Sequence, residues 1–200
     1  MIQKDKTYNL ATFFCLYIAQ TIPMSFFSTV IPVMMVGVIF YYTQRDEREL
    51  LATPPNPDVT VNVVGKQWSW DFNYVNADVY ESGTQGQLDG KPGVEATLPT
   101  LYLPVNKRVE FVLTARDVIH SFWVPAFQQK LDMIPGKVNK FQVTTTTEGD
   151  FVGKCAELCG KEHAYMPIHV KVVSAEDYTA WVAEQKKKAA AKLDDPTKVW

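Results

Sequence analysis

Residues 10–43 contain no charged side chain. A stretch of that kind cannot be a solvated surface helix. It is long enough for one membrane-spanning helix, which takes about 20 apolar residues, and too short for two spans and a turn. Its most apolar part is Thr29-Val-Ile-Pro-Val-Met-Met-Val-Gly-Val-Ile-Phe-Tyr-Tyr42. Pro23 and Pro32 stand where they would start or kink a helix. Tyr41 and Tyr42, followed by Arg45-Asp-Glu-Arg48, mark an interface with water. The segment is too long for a secretory signal and shows no small-residue cleavage site, so it reads as an uncleaved anchor. Lys4 and Lys6 before it and Arg45 and Arg48 after it leave its orientation undecided. Cys15 is expected to pack as a small hydrophobe.

The sequence after the anchor has another character. Thr53-Pro-Pro-Asn-Pro57 disfavours helix and reads as an extended linker. From Asp58 apolar residues recur with period two. Val59, Val61 and Val63 alternate with Thr60 and Asn62, and Trp68, Trp70, Phe72 and Tyr74 with Ser69, Asp71 and Asn73. Both patterns predict strands with one apolar face. Residues 81–93 read as a loop. Further short strands are expected at 101–105, 109–113, 121–124, 140–144, 151–152 and 168–173. Many short strands at this spacing indicate a sandwich or Greek-key barrel. Ser174-Ala-Glu-Asp177 resembles a capping box and predicts a helix from Ala175 to Leu193, ending in a lysine-rich tail. The expected organisation is an anchor over 1–50, a linker over 51–57, a β domain over 58–175, and a helix and tail over 176–200.

The charge balance excludes one class of function. Twenty basic against 22 acidic residues give a net charge of −2, which argues against a nucleic-acid partner. The acidic excess lies in the β domain, including residues 58–98, and suits a basic protein partner. Three cysteines are too few for a disulfide scaffold.

Two of those cysteines carry the chemistry. Cys155-Ala-Glu-Leu-Cys159-Gly-Lys-Glu-His163-Ala-Tyr-Met166 reads C-x3-C-x3-H-x2-M, and His120 lies upstream after a strand. Two thiolates, imidazole and a thioether select copper or zinc, and the thioether favours copper. A disulfide would leave His163 and Met166 without a role. A Cys2His2 zinc site has enough ligands. A blue-copper site needs only one cysteine. Two bridging thiolates with a histidine on each side suit two coppers sharing one delocalised charge, an electron relay.

These residues resemble cytochrome c oxidase subunit II, whose cupredoxin-like domain carries the dinuclear CuA centre. The resemblance runs from Thr29 to Trp181. It rests on Thr29-Val-Ile-Pro32, Gly65-Lys-Gln-Trp-Ser-Trp70, Asp117-Val-Ile-His-Ser-Phe-Trp-Val-Pro125, Asp132-Met-Ile-Pro-Gly136 and the cysteine loop ending in Met166-Pro167. It implies a mainly β, cupredoxin-like Greek-key fold with an N-terminal transmembrane helix and a C-terminal helix. It makes Cys155 and Cys159 bridging ligands, His120 and His163 terminal ligands, Met166 a weak thioether ligand and Glu157 a ligand through its backbone carbonyl. The Glu157 carboxylate would help hold magnesium or manganese at the catalytic subunit. Trp68 would receive electrons from cytochrome c, with Trp70 left to packing. Asp117 would help dock the cytochrome, although Arg116 stands where family members often have another acid. Glu47 or Glu49 would lie at the start of a proton pathway.

The implied function is uptake of electrons from cytochrome c and their transfer to haem in the catalytic subunit, where oxygen is reduced. The implied location is a bacterial plasma membrane or mitochondrial inner membrane, with the soluble domain on the outer, positive side. Most members have two membrane helices, whereas this chain has room for one. His169, in an alternating strand, is expected to be solvated. The alternatives are a nitrous-oxide-reductase-like CuA domain and a copper-delivery or zinc module.

Overall fold

The alternating valines of Val59–Lys66 (β1) lie in the middle of a five-stranded sheet. The computed structural model describes residues 10–83, 85–86 and 98–193. Lys4, Lys6, the tail beyond Leu193 and the acids Asp89 and Glu95 lie outside the described residues, as does most of the expected 81–93 loop.

β1 pairs antiparallel with Ser69–Tyr74 (β2) and parallel with Arg108–Ala115 (β5). Val79–Ser82 (β3) continues the sheet beyond β2, and Asn139–Thr144 (β8) beyond β5. A second five-stranded sheet has the order Thr100–Pro104 (β4), Pro167–Val173 (β10), Gly149–Cys155 (β9), His120–Val124 (β6) and Gln129–Met133 (β7). The apolar faces of both sheets supply one core.

Two of these strands are not expected from the sequence. β3 takes the start of the 81–93 loop because Asp71 to Tyr74 offer it a pairing edge. β7 follows a short 3-10 turn at Pro125–Phe127 and the left-handed Gln128 (φ 54°), which reverse the chain onto β6. Trp68 also differs. β2 starts at Ser69, so Trp68 stands in the turn between β1 and β2 and not on the strand face.

Aromatic rings fill the core. Phe111 lies 5.1 Å from Phe141, 5.5 Å from Phe122 and 5.6 Å from Phe127, measured between ring centroids. Trp70 meets Phe122 edge-on at 5.9 Å. Phe111→Ala should therefore cost about 3–5 kcal/mol, the usual loss for a large buried aromatic. Denaturant unfolding of the metal-free protein measures it. A loss under about 1 kcal/mol would show that the site collapses around the smaller side chain.

The second helix, Ala175–Leu193 (α2), starts where Ser174 accepts the Asp177 N–H at 3.1 Å and donates its hydroxyl to the Asp177 carboxylate at 2.9 Å. It is fastened by Trp181, which stacks on Tyr102 at 4.7 Å and meets Tyr74 at 4.9 Å. The proline-rich segment is pinned to the β domain. Arg108 donates to the Pro55 and Asn56 carbonyls at 2.8 and 2.6 Å, and Gln142 donates to the Pro54 carbonyl at 2.9 Å.

Leu10–Leu50 forms a single helix (α1), a compact unit separate from the β domain. Both prolines lie inside it, and none of its residues is buried. It is long and apolar enough to cross a membrane. At 1.5 Å per residue it is about 60 Å long, twice a hydrocarbon core of about 30 Å. Cys15, Glu47 and Glu49 are all exposed on it.

Candidate metal centre

Two strands and the loop between β9 and β10 deliver the site. His120 opens β6 and Cys155 closes β9, and the two strands pair with Phe122 opposite Cys155. The Ala156 N–H donates to the Ser121 carbonyl at 3.0 Å, and the Cys155 N–H to the Met166 carbonyl at 3.2 Å. Cys159, His163 and Met166 lie on the loop from β9 to β10. A side chain on Gly65 would come within 3.0 Å of the His120 ring, so glycine on β1 lets the imidazole lie against the sheet.

The expected ligand atoms converge. The two Sγ atoms are 3.9 Å apart, too far for a disulfide, and both thiols are free. Cys155 Sγ is 3.8 Å from His120 Nδ1 and 3.2 Å from the Glu157 carbonyl oxygen. Cys159 Sγ is 3.5 Å from His163 Nδ1 and 3.4 Å from Met166 Sδ. His120, Cys155, Cys159 and Met166 are buried, whereas Glu157 is exposed.

The site favours one thiolate in advance of metal. Burial opposes ionisation of Cys155, but hydrogen bonds from His120 and from the Glu157 and Ser121 backbone outweigh it, and its pKa falls to about 6. At Cys159, burial and the charge on Cys155 act together and push the pKa up. A metal that binds both sulfurs releases the remaining proton.

Asp117 serves the site from behind. Its Oδ1 is 2.9 Å from His120 Nε2 and accepts the Val118 N–H at 2.7 Å, while Oδ2 accepts the Gln67 N–H at 2.7 Å. With Nε2 engaged, Nδ1 of His120 is left to face the sulfur. Burial works against the Asp117 charge, yet these donors hold its pKa below the usual carboxylate value. Its carboxylate is thus occupied inward, in a role beyond the expected docking of a cytochrome. Asp117→Ala should weaken copper binding about ten- to a hundredfold, the usual effect of removing a ligand's hydrogen-bond partner. Competition with a chelator checks this, and unchanged affinity would refute it.

Trp68 lies over the cysteine loop, half-buried, and donates its indole N–H to the Cys159 carbonyl at 3.2 Å. Lys161 Nζ is 5.8 Å from the centre of its ring. The same carbonyl accepts the Gln67 side-chain amide at 2.8 Å. Gln67 has no chemical signal of its own in the sequence; only its place beside Trp68 points to it. Trp70 points inward and donates to the Met166 carbonyl at 3.2 Å. His169 lies away from the site and is paired with Asp150 at 3.1 Å, so it is less solvated than expected.

The family model described as cytochrome C oxidase subunit II, periplasmic domain, matches residues 59–173. The chain belongs to the cytochrome c oxidase subunit II family. A probable cytochrome c oxidase subunit 2 of Streptomyces avermitilis is 46% identical over 196 residues, covering 83% of this chain and 61% of that protein. The chain thus spans about three-fifths of that relative's length. The crystal structure of the periplasmic domain of subunit II of cytochrome oxidase (CoxB) of Bradyrhizobium japonicum is 38% identical. It matches with a TM-score of 0.60 over 68% of this chain and 99% of that one. A mixed disulfide intermediate between a thioredoxin-like protein and subunit II of cytochrome c oxidase matches at 36% identity and a TM-score of 0.59, over 68% of this chain and 96% of that one. The β domain is therefore cupredoxin-like, with an apolar helix before it and a second helix after it, as expected from the sequence.

Proposed function

We propose that this chain takes up electrons one at a time from a cytochrome c and hands them to haem in a catalytic oxidase subunit, where oxygen is reduced to water. The observation that carries the reading is the convergence of two thiols, two imidazole nitrogens, a thioether and a backbone carbonyl within 3.2–3.9 Å steps. This donor set fits a dinuclear copper centre. It exceeds what zinc or a single blue copper uses, and both cysteines stand at its middle. Such a centre supplies, when bound, one-electron chemistry with the charge shared between two ions.

The remaining work falls to the chain. Cys155, Cys159, His120, His163 and Met166 would hold the coppers by side chain and Glu157 by its carbonyl. Strand pairing fixes His120 and Cys155, so little rearrangement is needed on binding. Asp117 orients His120. Burial of the sulfur ligands excludes water. Trp68 would receive the electron at the surface and couple it inward through the Cys159 carbonyl. The exposed Glu157 carboxylate would share a magnesium or manganese ion with the catalytic subunit. In this reading α1 crosses the membrane, and the β domain lies on its outer, positive side. Glu47 or Glu49 would sit at the mouth of a proton pathway.

The test uses the full chain in detergent, loaded with copper and studied by metal analysis and electron paramagnetic resonance. Two coppers per chain with one unpaired electron shared equally are expected. A single blue ion, or a colourless one, would refute the reading and favour a delivery or zinc module.

A further inference from the structure

We propose that Gln67 is a positioning residue for electron uptake, holding the Trp68 indole against the Cys159 carbonyl. The inference rests on Trp68 being the point where electrons arrive. Gln67 and Trp68 form the turn between β1 and β2 and both reach across the fold to one acceptor. The Cys159 oxygen receives Gln67 Nε2 at 2.8 Å and Trp68 Nε1 at 3.2 Å. On its other side Gln67 is tied by its backbone N–H to Asp117 Oδ2 at 2.7 Å, and Asp117 Oδ1 reaches His120 Nε2 at 2.9 Å. One residue therefore links the indole, a sulfur ligand's backbone and the partner of a histidine ligand.

A glutamine in a turn needs none of this for the turn itself. Gln67 is an exposed residue. Its side-chain amide is nonetheless held at 2.8 Å on the Cys159 carbonyl, which a merely solvated side chain would not be. The Cys159 loop is shaped to receive it. Gly160 has φ +124°, and a Cβ there would come 3.1 Å from both Gln67 Nε2 and the Trp68 ring. Glycine lets both side chains lie flat on the loop. Trp68 is half-buried, with its ring packed against the edge of the core. Without the Gln67 amide, that packing, the indole hydrogen bond at 3.2 Å and Lys161 over the ring would hold the indole without a second donor on the Cys159 carbonyl.

The test uses the full chain loaded with copper and labelled with 5-fluorotryptophan, with Trp68→Phe identifying the Trp68 fluorine resonance. Electron uptake is followed by rapid mixing with reduced cytochrome c. Gln67→Met keeps the length and loses the donor. Gln67→Glu keeps the polarity but sets a carboxylate against the carbonyl. Both should shift the Trp68 resonance and slow uptake about tenfold, with the copper spectrum unchanged; losses of this kind follow small misplacements of a reacting group. In a Trp68→Phe background the same changes should have little further effect, because the two residues act as one unit. An unmoved Trp68 resonance, a full tenfold loss in the Trp68→Phe background, or an altered copper spectrum would overturn the role of Gln67 alone. Unchanged uptake in Trp68→Phe itself would overturn the assignment of Trp68, and the role of Gln67 with it.

Discussion

Cys159→Ser should reduce the copper content of the full chain from two ions to at most one and abolish the shared-electron resonance signal. Serine nearly matches cysteine in size, so the 3% exposed position should still pack. What disappears is the soft ligand at the middle of the donor set. Cys159 Sγ neighbours three other donors: Cys155 Sγ at 3.9 Å, His163 Nδ1 at 3.5 Å and Met166 Sδ at 3.4 Å. A hydroxyl is a hard, protonated group at neutral pH and cannot bridge two coppers as a thiolate does. Cys155 and His120 would remain, a one-cysteine set suited to a single copper. Retention of two coppers in Cys159→Ser would show that the sulfurs do not bridge. Loss of folded protein is checked separately by the near-ultraviolet dichroism of the aromatic core.

The sequence displayed the local half of this arrangement. C-x3-C-x3-H-x2-M is a short segment, so four candidate ligands of three types could be seen together without knowing the fold. Strand alternation was equally local, and the valines of β1 and the aromatics of β2 fall where period two puts them. Features set by distant pairing were not readable. Trp68 continues the alternation of β2, yet the chain turns there, and its indole N–H donates to the Cys159 carbonyl, 91 residues away. Asp117 reads as a surface acid beside Arg116. Its partners are the nearby His120 and the backbone of Gln67, 50 residues earlier. β3 and β7 are short and border turns, and each exists because a neighbouring strand offers an open edge. A residue's chemistry can be read from its type, but whether a carboxylate faces solvent or a ligand depends on register between strands.

The two neighbouring tryptophans should separate electron uptake from packing. Trp68→Phe retains an aromatic ring but loses the N–H that meets the Cys159 carbonyl at 3.2 Å. If electrons arrive through this indole, oxidation of cytochrome c by the assembled oxidase should fall about a hundredfold, a loss of the size that misplacement at a reacting centre produces. Copper content and thermal stability should stay near those of the parent, because Trp68 is half-buried and lies outside β2. Trp70 reverses the expectation. It is fully buried, packs edge-on against Phe122 at 5.9 Å and donates to the Met166 carbonyl at 3.2 Å. Trp70→Phe should cost about 1–3 kcal/mol of stability through the lost hydrogen bond and the space left behind. Once folded and loaded, that variant should still oxidise cytochrome c at close to the parental rate. Equal losses of activity in the two variants, or a loss confined to Trp70→Phe, would mean that electrons do not arrive through Trp68. Its indole would then be a cover for the Cys159 loop, and the route would have to be sought at the half-buried His163.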